Sequence, residues 1–383
     1  MPTDAKQRLA YIDWMRGFAC VMMFQTHCYD SWLSPDARQS TFFKISQLGG
    51  TLPAPLFLFL AGISFAITTE RQRGRGARSG EIARATIRRG IEIFVLGLLF
   101  RLWEFLLGQG RVKAPDTDLL RVDILNMIGI SMVAMGVTCW LAAKLWKGAG
   151  PAILRRKNTA LAAAVALVIA IVTPPLWTTW RPRLLPWFLE SYVNGVHIYD
   201  KPQPWLFPFF PWAAFAFAGL AVGFVLMSYW ARANQAKSVA VLAAAGAAMA
   251  GIGWFLDELP LQLYAEHDFW HSSPNFFLIR VGVVLAILFV SYVWCRWGPG
   301  QRGFSPLIQM GQASLLVYCV HIQFVYGKFS FLKKQSQSIF SASCGLLIIF
   351  VAMVLLSVFR GRMKRRKSAA RVKLERENSP AAG

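Results

Sequence analysis

The sequence predicts an all-α membrane protein that crosses the bilayer about ten times, with both termini cytoplasmic. Three observations lead there. Of the 383 residues, 55% are hydrophobic and only 16% are charged. The apolar residues run in long blocks rather than in amphipathic periods, which is the pattern of helices facing lipid. The formal net charge of +22 also falls on alternate linkers, as the bias of Lys and Arg toward the cytoplasmic side requires.

The blocks have roughly 16 to 26 residues, enough for a helix to cross ~30 Å of hydrocarbon. In order they lie near Trp14 to Tyr29, Thr51 to Thr69, Ile91 to Leu107, Ile124 to Leu145, Thr159 to Trp177, Trp205 to Trp230, Ser238 to Leu256, Asn275 to Trp297, Pro306 to Tyr326 and Ser338 to Phe359. Lys6 and Arg8 ahead of the first block imitate a secretion signal, but no small-x-small cleavage site follows Phe24, so the block reads as an uncleaved first span. Gly219-x-x-x-Gly223 is the spacing of a close helix contact. No repeat relates the two halves, which weighs against a transporter built from inverted repeats. Residues 1–360 are expected to form the transmembrane domain and residues 361–383 a basic, disordered cytoplasmic tail. The six cysteines all fall in or beside apolar blocks without C-x-x-C spacing, so neither a disulfide nor a metal is implied.

Charge tests the count of spans. With the N-terminus inside, the inner segments hold 28 of the 41 Lys and Arg and 6 of the 19 acids, which is the whole net charge. The outer linkers hold 11 basic and 11 acidic residues and cancel. The basic run Arg71, Arg73, Arg75, Arg78, Arg84, Arg88 and Arg89 therefore reads first as a topology signal attracted to anionic lipid. A second role for part of it, holding a phosphorylated cofactor, stays open. The positive charge needs no nucleic acid to explain it, and no recognition module is visible.

Ionisable residues within spans are costly and mark polar cavities or function. The first block reads D-W-M-R-G-F-A-C-V-M-M-F-Q-T-H-C-Y-D, closed by Asp13 and Arg16 at one end and by His27 and Asp30 at the other. Each pair is spaced i, i+3 and so shares a helix face. With the topology above, His27 lies near the outer end of its span, and His321 of the ninth span comes to a similar level. Arg101 and Glu104, Asn126 and Arg280 occupy the outer parts of three further spans. One polar layer beneath the outer surface is the expectation, with His27 at its chemical centre. For Arg101 and Glu104 a neutralising ion pair is an equally good explanation, and for Arg16 so is anchoring. The outer segment Asp257 to Pro274 has acids, histidines and aromatic residues but no Lys or Arg. It suits a sugar or cationic amine, or an interfacial aromatic belt. His267 and His271 at i, i+4 lack the H-E-x-x-H context of a zinc site. With no G-x-S-x-G, Walker loop or dinucleotide fingerprint, a Ser-His-Asp hydrolase or a nucleotide-driven pump has no support.

On these residues the chain resembles the heparan-alpha-glucosaminide N-acetyltransferase catalytic-domain family. The carrying motifs are D-W-M-R-G at 13 to 17, H-C-Y-D-S-W at 27 to 32, P-L-F-L-F-L-A-G-I-S at 55 to 64, R-R-G-I-E-I-F at 88 to 94, L-R-V-D-I-L-N-M-I-G at 120 to 129, F-P-W-A-A-F at 210 to 215 and G-Q-A-S-L-L-V-Y-C-V-H at 311 to 321. The resemblance implies transfer of an acyl group from cytoplasmic acyl-CoA, through the helix bundle, to an acceptor on the far side; in lysosomal members this is the amine of a terminal glucosamine. Those members carry a catalytic histidine in the loop after the first span, where this chain has 34–50 without histidine. His27 is then the natural substitute.

The expected enzyme is thus an acyl-CoA-dependent N- or O-acyltransferase acting on a sugar or glycan. His27 serves as general base or acyl acceptor, Asp30 orients it or the acceptor, and Asn126 or Arg280 donates to the developing oxyanion, with His321 in the same site. Arg16, Arg84, Arg88, Arg89 and Arg101 are the candidates for holding acyl-CoA, and no metal is expected. The other expected partners are membrane lipids and a second copy of the chain, with no nucleic acid, and the expected location is a bacterial inner membrane. A transporter or channel using the same polar layer without acyl transfer, and a catalytically silent membrane protein, are the alternatives.

Overall fold

A computed structural model describes residues 9–107, 119–180, 182, 184–195, 207–260, 263–264, 268–298 and 303–377. In chain order its helices are α1 (Ala10–Trp32), α2 (Pro35–Arg38), α3 (Thr41–Gly50), α4 (Pro53–Gly74), α5 (Ser79–Leu107), α6 (Ile124–Leu145), α7 (Pro151–Trp177), α8 (Trp187–Val193), α9 (Phe209–Leu226), α10 (Tyr229–Ala233), α11 (Gln235–Glu258), α12 (Pro274–Trp297), α13 (Pro306–Gln312), α14 (Ser314–Val325) and α15 (Ile339–Glu377). No strand forms among the described residues.

Each of the ten apolar blocks is helical over most of its described residues. Seven helices, with Thr41–Gly74 taken as one, are long and apolar enough to cross a membrane, and an eighth is added if α13 and α14 form a single bent span. The other two blocks form α1 and α5, whose ionisable and amide side chains keep them outside that set. Val241, Ile252, Trp254 and Phe255 on α11, and Leu347, Ile348, Val351 and Leu355 on α15, are exposed. Apolar surface on this scale is stable against lipid rather than water, so the chain is an integral membrane protein.

Local chemistry sets the boundaries. Asp123 and Asn126 form a capping box at the start of α6. Pro151 and Pro306 open α7 and α13 at the position where a missing N–H costs nothing. The block 306–326 is not one straight helix: it bends by 95° at Ala313, whose φ of −118° and ψ of 13° leave the helical region. The block near Trp205 to Trp230 likewise ends at Leu226, and Ser228 caps the short α10. The tail expected to be disordered from residue 361 instead continues α15 to Glu377, because Arg, Lys, Ala, Leu and Glu are good helix formers and no proline intervenes.

The chain packs as two compact units, Met1–Gly50 with Val293–Gly383, and Thr51–Tyr292. In the first, α1 lies against α13, α14, α15 and α3. The approach to α13 is backbone on backbone: a Cβ on Gly17 would fall 1.9 Å from the Leu307 carbonyl oxygen, and one on Gly311 would fall 1.8 Å from that of Asp13. The end of α1 is tied to the segment before α15 by Gln337 N–H to Trp32 O (2.8 Å) and Ser34 N–H to Gln337 O (3.0 Å). The Ser31 hydroxyl also donates to Val325 O at 2.8 Å, which joins α1 to the end of α14.

In the second unit α9 packs between α4 and α7, and α5 pairs with α6. The expected small-residue contact is made: Gly219 meets the Phe59 carbonyl, and Gly223 meets Ile63 and Ala66 of α4. Buried Glu70, at the basic end of α4, pairs with Arg73 and, at 3.1 Å, with Arg155 of α7. Arg73 and Arg155 thus fasten helices.

Candidate functional site

The last two turns of α1 and the middle of α14 meet through two imidazoles. His27 Nδ1 lies 2.9 Å from His321 Nε2, and the rings are nearly parallel, 8° apart with centroids at 5.2 Å. His321 Nδ1 is 3.0 Å from the Val317 carbonyl oxygen, one turn back in α14. His321 is fully buried, while His27 keeps part of its surface open. Phe24 packs on His321 with ring centroids 5.0 Å apart, and Tyr326 meets His27 edge-on at 5.3 Å. The 95° bend matters here, because α14 starts afresh at Ser314 and places His321 beside α1.

Asp30, expected to orient His27 or the acceptor, contacts Tyr326 and Arg38. Its Oδ2 accepts from the Tyr326 hydroxyl at 2.8 Å and its Oδ1 is 3.8 Å from Arg38 Nη1. Arg38 also donates to the Asp30 and Leu33 carbonyl oxygens, and Lys334 donates to the Tyr326 carbonyl oxygen. The carboxylate therefore holds the tyrosine ring that flanks His27, while His321 holds the imidazole itself. Arg16, at the opposite end of α1, is bound to buried Asp13 at 3.0 Å.

The remaining candidates lie in the second unit. Asn126 is fully buried; its side chain donates to Phe94 O at 3.0 Å and accepts from Asp123 N–H at 3.4 Å. The oxyanion donor expected there is committed to capping α6 and tying it to α5. Arg101 forms its ion pair with Glu104 at 2.8 Å, the neutralising alternative. Buried Arg280 lies over the faces of Phe276 (4.1 Å) and Trp212 (5.7 Å), which partly compensates its charge.

Arg88 and Arg89 both pair with Glu92. Arg84, Arg88 and Glu92 stand at the polar end of a shallow, open patch along one face of α5, continued by Ile87, Ile91, Val95, Leu96 and Leu99. In the segment 257–274 His271 pairs with Asp268 at 2.5 Å, and Phe269 and Trp270 pack on Phe276. His267 lies outside the described residues.

Sequence reading missed a buried polar group around α8. Glu190 and Asn194, i and i+4, are both buried and bonded to each other, and Asn194 also donates to Leu176 O at 2.9 Å. Burial, reinforced by the Asp123 charge, pushes the Tyr192 hydroxyl up to about 12 despite the opposing charge of Arg101. The E-x-x-x-N spacing in W-F-L-E-S-Y-V-N was the available signal.

The fold defines the class: a multi-span helical membrane protein, here with an imidazole pair between α1 and α14. Comparison then gives the family. The chain belongs to the heparan-alpha-glucosaminide N-acetyltransferase catalytic family, whose model matches residues 8–256. That stretch includes His27, Asp30, Asn126 and the arginine candidates 16 to 101, and ends before Arg280 and His321. No curated protein matches the chain.

Proposed function

We propose that the chain moves an acetyl or other acyl group from cytoplasmic acyl-CoA to an amine or hydroxyl of a sugar or glycan on the outer side of a bacterial inner membrane. The observation that carries this reading is the His27–His321 pair: a partly open imidazole, held by a buried one, on the first helix of a member of an N-acetyltransferase family. A thioester needs little further activation, so a positioned base and a positioned acceptor supply the chemistry. His27 takes the proton of the acceptor as its nitrogen or oxygen bonds to the thioester carbonyl carbon. The C–S bond then breaks, and the CoA thiolate recovers the proton. Direct transfer and passage of the acyl group through the imidazole of His27 balance equally.

Arg84, Arg88 and Arg89 suit the phosphates of acyl-CoA by their charge, and the apolar side chains of α5 suit its uncharged part. The basic inner linkers support entry from the cytoplasm. The aromatic residues of the outer segment suit a sugar ring.

The test is release of free CoA from acetyl-CoA by purified protein in proteoliposomes, with glucosamine as the probe acceptor. Acceptor-dependent release by the wild type supports the reading. Movement of solute with acetyl-CoA left intact would contradict it and favour the transporter.

A further inference from the structure

We infer that His321 is a positioning residue that fixes the tautomer of His27, so that Nδ1 carries the proton and Nε2 is the atom that does the chemistry. The inference deepens the acyl-transfer reading and rests on it for its consequence, though not for its geometry. It follows from hydrogen-bond polarity along one line of atoms. The Val317 carbonyl can only accept, so the nitrogen 3.0 Å from it, His321 Nδ1, carries hydrogen. A neutral imidazole has one N–H, which leaves a lone pair on His321 Nε2. That lone pair faces His27 Nδ1 at 2.9 Å. Two lone pairs do not meet at this distance, so His27 Nδ1 is the donor and His27 Nε2 is left unprotonated. Nε2 has no hydrogen-bond partner among the described residues and belongs to the partly open side of the pair.

The packing preserves this order. His321 is sealed by Phe24 and Tyr318, and Tyr326, held by Asp30, closes against His27. Neither ring turns over without opening those contacts. The same line also determines what protonation does. A proton added at His27 Nε2 leaves both hydrogen bonds intact, with the imidazolium donating to a neutral His321. A second proton would have to enter on His321 Nε2, where it would face His27 Nδ1–H and break the pair. The intact pair therefore holds a single extra proton, as a base that takes one from the acceptor and gives it to the CoA thiolate requires. In the route through an acyl-imidazole, Nε2 is likewise the atom acylated.

The chain has five histidines, few enough to assign in ¹⁵N-histidine-labelled protein in lipid vesicles by comparing the wild type with His27→Ala. The wild type is expected to show His27 with a pyrrole-type Nδ1 and a pyridine-type Nε2. His321→Leu should let His27 populate both tautomers and lower kcat by about 10- to 100-fold, the usual cost of removing the outer partner of a functional histidine. His321→Gln, whose carbonyl accepts from His27 Nδ1, should restore the tautomer and most of the rate, and it controls for any failure of the leucine variant to fold. A wild-type His27 protonated on Nε2, or an unchanged tautomer in His321→Leu, overturns the assignment. The expected tautomer in a protein that releases no CoA leaves the assignment standing and refutes the acyl-transfer reading instead.

Discussion

Three polar groups of the second unit contrast with the histidine pair of the first. In Thr51–Tyr292, Glu70 is shared by Arg73 and Arg155, Arg101 is matched by Glu104, and Asn126 is consumed by a helix cap and a carbonyl. Each of these groups is answered within the protein, and each answer joins one turn or helix to another. In the first unit, His27 keeps a ring nitrogen unengaged on its partly open side while its other nitrogen is held by buried His321. Chemistry needs such an unfinished valence, and satisfied ion pairs do not offer one. The comparison teaches that burial and charge alone do not locate a candidate site in this molecule.

Four substitutions break or sharpen that contrast. His27→Ala, at the unfinished group, should lower turnover by about 10² to 10⁴ with expression and folding intact, because general-base help is of that size; CoA release in proteoliposomes measures it. Glu70→Gln, at a finished group, should do the reverse, leaving turnover per folded molecule unchanged while costing about 3–5 kcal/mol of stability by stranding two partly buried arginines. Thermal unfolding in detergent reads that loss. Gly219→Ala adds a Cβ that would fall 1.9 Å from the Phe59 carbonyl, forcing α9 and α4 apart, and is expected to cost about 1–3 kcal/mol in the same assay. Asp30→Asn should do least. The amide still accepts from Tyr326, and the exposed pair with Arg38 contributes only about 0–1 kcal/mol, so turnover should change by no more than about threefold. A large loss there would mean that Asp30 acts on the substrate or imidazole directly.

Much of this was legible from residue order. Block length and composition gave the helices, and the run Ile124 to Leu145 matches α6 residue for residue. His27 stood out because an ionisable ring follows an apolar stretch on one helix face. His321 was readable as a titratable group but not as the partner of His27, since their contact spans 294 positions and depends on a 95° bend at Ala313. Asp30 was assigned to His27 or the acceptor by i, i+3 spacing, which puts two groups on one face without saying which neighbours reach them; Tyr326 and Arg38 do. The Glu190–Asn194 pair escaped notice because α8 is too short to show a period.

The most direct test of the account encloses glucosamine in vesicles carrying the wild-type protein, adds acetyl-CoA labelled in the acetyl group to the face bearing the basic linkers, and follows the label. The account predicts labelled N-acetylglucosamine inside the vesicles and free CoA outside, with both abolished by His27→Ala. Label that stays on CoA, or that reaches the sugar equally well without His27, would contradict it.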